Sequence, residues 1–243
     1  MLHDYLDKIK AQLELVEKVE KEKLEFAGKK IATCIQNEGI IYLFGSGHSH
    51  ILTEEVFYRA GGLASIYPIL IEEIMLHKGA IRSTELERQN DYAKSFMKDV
   101  SIQPEDIVIV ISTSGRNPVP IDVALLAKEK GAYVIGLTSI EYSKSQPSKH
   151  VSGKHLVNSV DLYIDNHCVK GDALMSHEMT TERFGPSSTV VGAAILNAII
   201  VEAIEIMLEN GYEPPIFKSG NLDNADDYNQ SLVQKYKGRI PLF

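Results

Sequence analysis

The sequence predicts an α/β fold: a doubly wound, five-stranded parallel sheet in three layers, flavodoxin-like, with a long N-terminal helix. Three observations predict it. Five short apolar runs alternate with helical patterns, which is typical of a parallel sheet covered by helices. Two of these runs end in hydroxyl-rich turns, at 45–50 and 112–117, that lead into helices. The first 37 residues carry an apolar stripe of helical period.

Composition narrows the class of protein. A length of 243 residues suits one α/β domain with extensions, and a formal charge of −8 disfavours nucleic-acid and anionic-membrane partners. The longest apolar tract, 190–201, is shorter than the roughly 20 residues of a spanning helix. The N-terminus lacks the apolar core of a signal peptide. Cys34 and Cys168 form no recognisable motif, so we expect buried, reduced thiols in a cytoplasmic protein.

The N-terminal segment predicts a helix over 2–37 that contacts either a second copy of the chain or its own subunit. Its apolar stripe consists of Leu2, Leu6, Ile9, Leu13 and Val16, and resumes with Leu24, Ala27, Ile31 and Ile35. We divide the chain into a helical extension (1–37), a core domain (38–211) and a tail with a short helix (212–243).

The elements of the first half are predicted from β-branched runs and from the turn-forming residues that bound them. Their predicted bounds are strand 40–44, helix 51–60, strand 65–71 and strand 107–111. Gly61-Gly62 is expected to cap the helix before it. The charged stretch 72–98 reads as an insertion that is helical from about Thr84.

The second half alternates in the same way. Its predicted bounds are helix 118–130, strand 133–137, strand 160–164 and helix 187–210. The polar stretch 138–154 predicts a mobile loop with His150 and His155 exposed. Residues 165–186 are expected to be irregular. The last helix is apolar almost all round, which predicts that it is covered on most sides.

The two hydroxyl-rich turns predict an anion site. Each follows a strand and precedes a helix, and Asn117 and Pro118 suit the N-cap and first turn of the second helix. Carboxyl ends of parallel strands share one sheet edge, so two helix N-termini can point at one ligand. Backbone N–H groups at a helix N-terminus favour anions, of which phosphate is the expected one.

These turns carry a resemblance to a known family. Gly45, Gly47 and Ser49 match a Gly-x-Gly-x-Ser loop, and Ser112, Ser114, Gly115 and Asn117 match a later Ser-x-Ser-Gly-x-(Thr/Ser/Asn) loop. Over about residues 35–210 the chain thereby resembles the SIS (sugar isomerase) domain family, which implies phosphosugar binding. The expected phosphosugar-binding residues are Gly45, Ser46, Gly47, His48, Ser49, Arg59, Ser112, Thr113, Ser114, Gly115, Asn117, Ser187 and Ser188.

Two other kinds of site compete for the first loop. A dinucleotide fingerprint would place Glu72 on a ribose, but His50 stands where its third glycine belongs. A zinc site on His48 and His50 would need further ligands from His167, Cys168 or His177. We therefore expect no metal and no cofactor.

The reaction is less sharply defined than the ligand. Aldose–ketose isomerisation needs a base near an anchored phosphate. Family isomerases carry a catalytic Glu where this chain has Tyr58-Arg59. The remaining candidate catalytic residues are Glu55, Glu85 and Glu87, with His48 or His177.

Two branches of the family offer comparisons. The chain resembles phosphoheptose isomerases, and Glu85, Glu87 and the segment Ser114–Pro118 resemble N-acetylmuramic acid 6-phosphate etherases. The N-terminal helix and the 219–223 segment most resemble a further SIS branch. We expect a homodimer or homotetramer that binds a phosphorylated sugar or amino sugar and isomerises it. A non-catalytic sugar-phosphate sensor and an amino-sugar-phosphate lyase or etherase are the alternatives.

Overall fold

A five-stranded parallel sheet forms the centre of the computed structural model, which describes all 243 residues. The strand order is β2-β1-β3-β4-β5. The strands are β1 (Ile41–Gly45), β2 (Ile66–Ile69), β3 (Ile107–Ile111), β4 (Tyr133–Thr138) and β5 (Leu162–Asp165). A separate antiparallel hairpin comprises β6 (Met175–His177) and β7 (Thr180–Phe184). The predicted fold class is confirmed.

Helices cover both faces of the sheet. They are α1 (Leu2–Gln36), α2 (His50–Glu55), α3 (Ala80–Glu87), α4 (Lys94–Met97), α5 (Pro118–Glu129), α6 (Ile140–Lys144), α7 (Ser188–Glu209) and α8 (Ala225–Tyr236). Successive side chains of β1 point to opposite faces of the sheet. Leu43 packs with α1 and α7 on one face, whereas Tyr42 and Phe44 pack with α4, α5 and α8 on the other. Burial of the sheet on both faces explains why its strands are continuously apolar.

The inner face of α1 packs on its own subunit. Ala27, Ile31 and Ile35 belong to the same core cluster as the buried residues of α7. A Cβ at Gly28 would lie 2.4 Å from Cγ of Glu202 on α7. The two helices therefore cross closely, and the second half of α1 is part of the main core.

The helix after the first loop is shorter than predicted, because α2 ends at Glu55. Gly61-Gly62 does not cap it. Instead, Gly61 N donates to Phe217 O (2.8 Å) and Phe217 N donates to Gly62 O (2.9 Å). The C-terminal tail thus provides hydrogen-bond partners for the backbone N–H of Gly61 and the backbone carbonyl of Gly62. In the insertion, α3 begins at Ala80, four residues before the predicted start.

The stretch 138–154 is more structured than predicted. It contains α6, at whose N-terminus Ser139 Oγ accepts a hydrogen bond from within the helix. The expectation that His150 is exposed is wrong, because its Nε2 lies 2.8 Å from Oδ1 of Asp122 in a buried pair. His155 is half-buried, with Nε2 3.0 Å from a backbone carbonyl oxygen.

The expectation of an irregular segment at 165–186 is wrong in its second half, which forms the β6–β7 hairpin. The expectation that α7 is covered on most sides is also wrong. Its outer face leaves Val190, Val201 and Leu208 exposed. By length and composition alone α7 would suffice to cross a membrane, yet its inner face is buried against α1.

Both cysteines are buried free thiols, as predicted. Burial raises the pKa of the Cys34 and Cys168 thiols to about 12. Since the thiolate is the reactive form, both side chains are inert at neutral pH.

Candidate functional site

The paired loops meet at the carboxyl edge of the sheet. β1 and β3 are hydrogen-bonded neighbours with Gly45 opposite Ile111. Ser46 and Ser112, the next residues of each chain segment, therefore leave the sheet side by side. This brings two of the predicted strand–loop–helix units together, as a common ligand requires.

The first loop is a tight turn that depends on two glycines. A Cβ at Gly45 would lie 2.4 Å from the backbone oxygen of Ser49, so the chain can approach itself only at a glycine. Gly47 has φ +56°, a conformation that favours glycine. His48 is exposed on this turn. His50 Nδ1 contacts Gly47 O, which holds the His50 ring against its own loop.

The second loop is held by β4 and α6. Gly115 has φ +59°, and a Cβ there would lie 2.6 Å from Thr138 Oγ1 and 2.7 Å from Ser143 Oγ. Ser143 Oγ also donates to Ser114 O (2.9 Å). Gly115 N donates to Ser112 Oγ (3.2 Å), so that hydroxyl retains its own hydrogen for another acceptor. The second loop is thus held both by contacts with Thr138 and Ser143 and by its own internal hydrogen bond.

Several polar groups of these loops have no protein partner. The hydroxyls of Ser46, Ser49 and Ser114 make no hydrogen bond within the chain. Asn117 occupies the N-cap of α5 without a side-chain cap, and its Oδ1 is buried with no partner. The loops therefore present free donors together with one unsatisfied acceptor.

The N-terminus of α7 already holds a carboxylate. Asp172 Oδ1 accepts from the backbone N–H groups of Ser187 (2.9 Å) and Ser188 (3.0 Å). Both serine hydroxyls also donate to this carboxylate, at 3.2 Å and 2.5 Å. In the structure Ser187 and Ser188 thus bind an internal anion, and their assignment to phosphosugar stays a prediction. Asp172 itself was not singled out from the sequence.

Asn166 connects the second loop to this region. Its Nδ2 donates to Thr113 Oγ1 (3.4 Å), and its Oδ1 accepts from Cys168 N (3.1 Å). Cys168 Sγ in turn lies 3.4 Å from Ser187 Oγ. Sequence reasoning missed Asn166, although a polar residue directly after an apolar strand was the signal that identified the two loops.

Glu55, one of the candidate bases, is half-buried at the end of α2. Its Oε1 contacts Arg59 and lies 3.4 Å from Nδ2 of Asn197 on α7. Arg59, predicted to bind phosphosugar, is exposed beyond the end of α2 and forms an ion pair with Glu55. Asn197 was not predicted, since only the fold brings α7 beside α2.

The other candidate bases lie on two different elements. Glu85 is exposed and Glu87 half-buried on α3, which packs against both the first loop and α5. His177 is exposed on the β6–β7 hairpin, and Lys8 on α1 donates to that segment at Leu174 O (2.8 Å). The hairpin is therefore fastened to α1.

The histidines weighed as metal ligands have separate surroundings. His167 Nε2 lies 3.4 Å from Oε1 of the buried Glu20, whereas His48 is exposed on the first loop. No group of three or more His, Cys, Asp and Glu side chains is arranged to hold a metal ion.

Comparison with known proteins gives matches across the chain. A family model described as SIS domain matches residues 4–139. The chain is 62% identical over 242 residues to a UPF0309 protein of Halalkalibacterium halodurans, covering 100% of this chain and 97% of that relative. It is 39% identical over 244 residues to a UPF0309 protein of Thermoanaerobacter pseudethanolicus, covering 99% of each.

Solved structures share the fold at low identity. A phosphoheptose isomerase from Francisella tularensis has a TM-score of 0.51 and 15% identity, covering 84% of this chain and 96% of that one. The Vibrio vulnificus NanR protein complexed with ManNAc-6P has a TM-score of 0.50 and 14% identity, covering 100% of this chain and 69% of that one. At these identities the likeness is one of fold.

Replacing Gly115 should disrupt the second loop. In Gly115→Ala, the strained backbone and the clash with Thr138 and Ser143 should lower the free energy of unfolding by about 2–4 kcal/mol. Gly153→Ala is the matched control, because Gly153 has φ +71° and open space around its Cβ position, so it should cost only about 1 kcal/mol. Urea unfolding measures both values. Equal losses would show that the contacts around Gly115 do not hold the loop.

Proposed function

Because the chain belongs to the SIS domain family, we propose that it binds a phosphorylated sugar or amino sugar between its two paired loops. The observation that carries this proposal is the placement of Ser46–Ser49 and Ser112–Ser114 at neighbouring strand ends, each before a helix. The resulting edge is lined by amides and hydroxyls, which suits an oxyanion.

The phosphate is assigned to the second loop and the start of α5. In the first turn of this 12-residue helix Pro118 and Pro120 lack an N–H group, and Val119 keeps its own. Helix N-termini stabilise anions by their dipole and by such free N–H groups. Ser49, Ser112 and Ser114 each keep a hydroxyl hydrogen that a phosphate oxygen can accept. In a chain of net charge −8, such local donors are needed to hold a dianion.

The side chain of Asn117 is the group that we expect to contact the sugar beside the phosphate. Its buried, unpaired Oδ1 costs about 1–3 kcal/mol until a donor reaches it. A hydroxyl of the sugar supplies that donor. The two solved structures of similar fold also support a phosphorylated sugar as the ligand, since one is named a phosphoheptose isomerase and the other is complexed with ManNAc-6P.

Removing one loop hydroxyl should weaken the ligand without unfolding the protein. Ser114→Ala should lower the affinity for sugar phosphates about tenfold to a hundredfold, because hydrogen bonds to charged groups contribute about 1.5–3 kcal/mol. Isothermal titration calorimetry measures the change. Ser231→Ala, on the exposed face of α8, is the control and should bind as the parent does. Unchanged affinity in Ser114→Ala would remove the phosphate assignment.

We propose isomerisation of the phosphoheptose-isomerase type as the reaction, with Glu55 as its base. Arg59 and Asn197 both contact Oε1 of Glu55, which orients the carboxylate and leaves Oε2 free to accept a proton. Glu85 and Glu87 on α3, with His48 or His177, remain the other candidates for proton transfer. A non-catalytic sensor and an amino-sugar-phosphate lyase or etherase are the alternative functions.

Proton exchange tests the base directly. With a sugar phosphate that binds, the parent protein in deuterated water should exchange the proton next to the carbonyl, since an enediol forms even when little product accumulates. Glu55→Gln should slow this exchange about a hundredfold to ten-thousandfold, as loss of a general base does. NMR of the ligand measures it.

Glu54→Gln is the matched control, because Glu54 is the exposed neighbour of Glu55 on the same helix. It should exchange at the parent rate. Equal rates in all three proteins would rule out Glu55 as the base. Binding without exchange or cleavage in the parent would identify a sensor, and cleavage without exchange into the starting ligand would favour a lyase or etherase.

We also propose that the protein is a cytoplasmic homodimer or homotetramer whose copies meet over α1 and α7. A groove of about 340 Å³ runs between these helices, with Leu13, Val16, Ala194 and Ala198 among its lining residues. The exposed apolar face of α7 continues it. Burial of that face against a second copy would remove apolar area from water.

A charge on this face should dissociate the assembly. Val201 is 63% exposed in the single chain, so Val201→Glu should leave the fold intact and reduce the mass in solution to that of a monomer. Light scattering measures the mass. Leu222→Glu is the control, since Leu222 is 62% exposed on the tail. An assembly that keeps its mass in Val201→Glu would place the contact elsewhere.

A further inference from the structure

Three cationic side chains gather beside the N-terminus of α5 without carboxylate partners. Arg88 follows α3, Arg116 directly precedes the Asn117 N-cap of α5, and Lys149 lies after α6. None of them forms an ion pair within 4.0 Å, although the chain contains 33 acidic residues. In an acidic protein this group of cations thus has no carboxylate within ion-pair distance.

Backbone contacts of residues 147–151, the crossing segment, bring the three together. Lys149 N donates to Arg116 O (2.9 Å), and Arg116 Nε donates to Pro147 O (3.1 Å). Val151 N donates to Oδ1 of Asn90, two residues beyond Arg88. The crossing segment thus contacts the second loop at Arg116 and the segment after α3 at Asn90.

A buried anchor fixes this arrangement. Asp122 in α5 holds His150 of the crossing segment, with Oδ1 2.8 Å from Nε2, and accepts from Asp91 N through Oδ2 (2.8 Å). Lys149 is the sequence neighbour of one anchored residue, and Arg88 lies three residues from the other. The cations are therefore held near one another by contacts that do not neutralise them.

Their proximity has an electrostatic consequence. Lys149 is exposed, and a small loss of solvation together with the charges of Arg88 and Arg116 lowers the pKa of its ammonium, whereas Glu87 acts in the opposite direction. Cations that repel one another attract a shared anion. The guanidinium group offers a planar fork that fits carboxylate or phosphate oxygens.

We propose that Arg88, Arg116 and Lys149 bind a second anionic group of the ligand, a carboxylate or a second phosphate on the same sugar phosphate. This rests on the proposed phosphosugar site. The first phosphate is served by the hydroxyls of Ser112 and Ser114, whereas the Arg116 guanidinium is turned to Pro147 on the crossing segment. Since α3 also packs against the first loop, the cluster borders the same cleft.

Calorimetry with matched ligands tests the assignment. Glucose 6-phosphate is compared with 6-phosphogluconate for a carboxylate, and fructose 6-phosphate with fructose 1,6-bisphosphate for a phosphate. The parent protein should bind the doubly anionic member of at least one pair about tenfold more tightly. The double variant Arg88→Gln/Lys149→Gln should lose that preference and keep its affinity for the monophosphates within about twofold.

The double variant Arg82→Gln/Lys154→Gln is the control. It removes the same charges from α3 and the segment after α6, outside the cluster, and should keep the preference. Equal affinities within both ligand pairs for the parent would overturn the inference, as would an equal loss for monophosphates and dianions in Arg88→Gln/Lys149→Gln. If none of the four ligands binds the parent, the proposed phosphosugar site itself fails, and this inference fails with it.

Discussion

The parallel pairing of β1 with β3 is the constraint on which the candidate site depends. The carboxylate of Asp106, which is 1% exposed, anchors this pair at its amino end. It accepts from Ile40 N (2.8 Å) and pairs with Arg239 Nη2 (2.6 Å). Such a buried charge is tolerated because both its oxygens are bonded. A slip of one residue would displace Ser46 from Ser112 by about 3.3 Å and reverse the faces of the strand.

The candidate site offers two kinds of group to an anion: the dipoles of backbone N–H groups and hydroxyls at the helix termini, and the full positive charges of nearby side chains. The α7 terminus shows this chemistry within the chain, because the carboxylate of Asp172 takes two backbone N–H groups and two hydroxyls there. The terminus of α5 presents the same kinds of group to the cleft, with no internal acid hydrogen-bonded to them. Arg88, Arg116 and Lys149 then add formal positive charge on the outer side. This division agrees with the proposed anchor for one phosphate and the proposed subsite for a second anion.

The features that local sequence determines were predictable, and those made by distant contacts were not. The strands and the loops around Gly45 and Gly115 follow from β-branched runs and nearby glycines and serines. Phe217 binds the backbone of Gly61 from far along the chain, in the segment that the sequence predicts to end and cap the helix. His150 is buried by an acid on another element. Periodicity and turn chemistry carry no information on such pairings, which arise only when the layers pack.

Backbone NMR during a titration with a sugar phosphate tests the central claim most directly. The amide resonances of Ser49, Ser114 and Gly115 should shift together and saturate at one ligand concentration, because these residues lie in the two loops that border the proposed phosphate. Resonances from the separate groove lined by Lys128 and Asn158 should stay unchanged. Shifts confined to that groove, with the amides of both loops unmoved, would contradict phosphosugar binding at the paired loops.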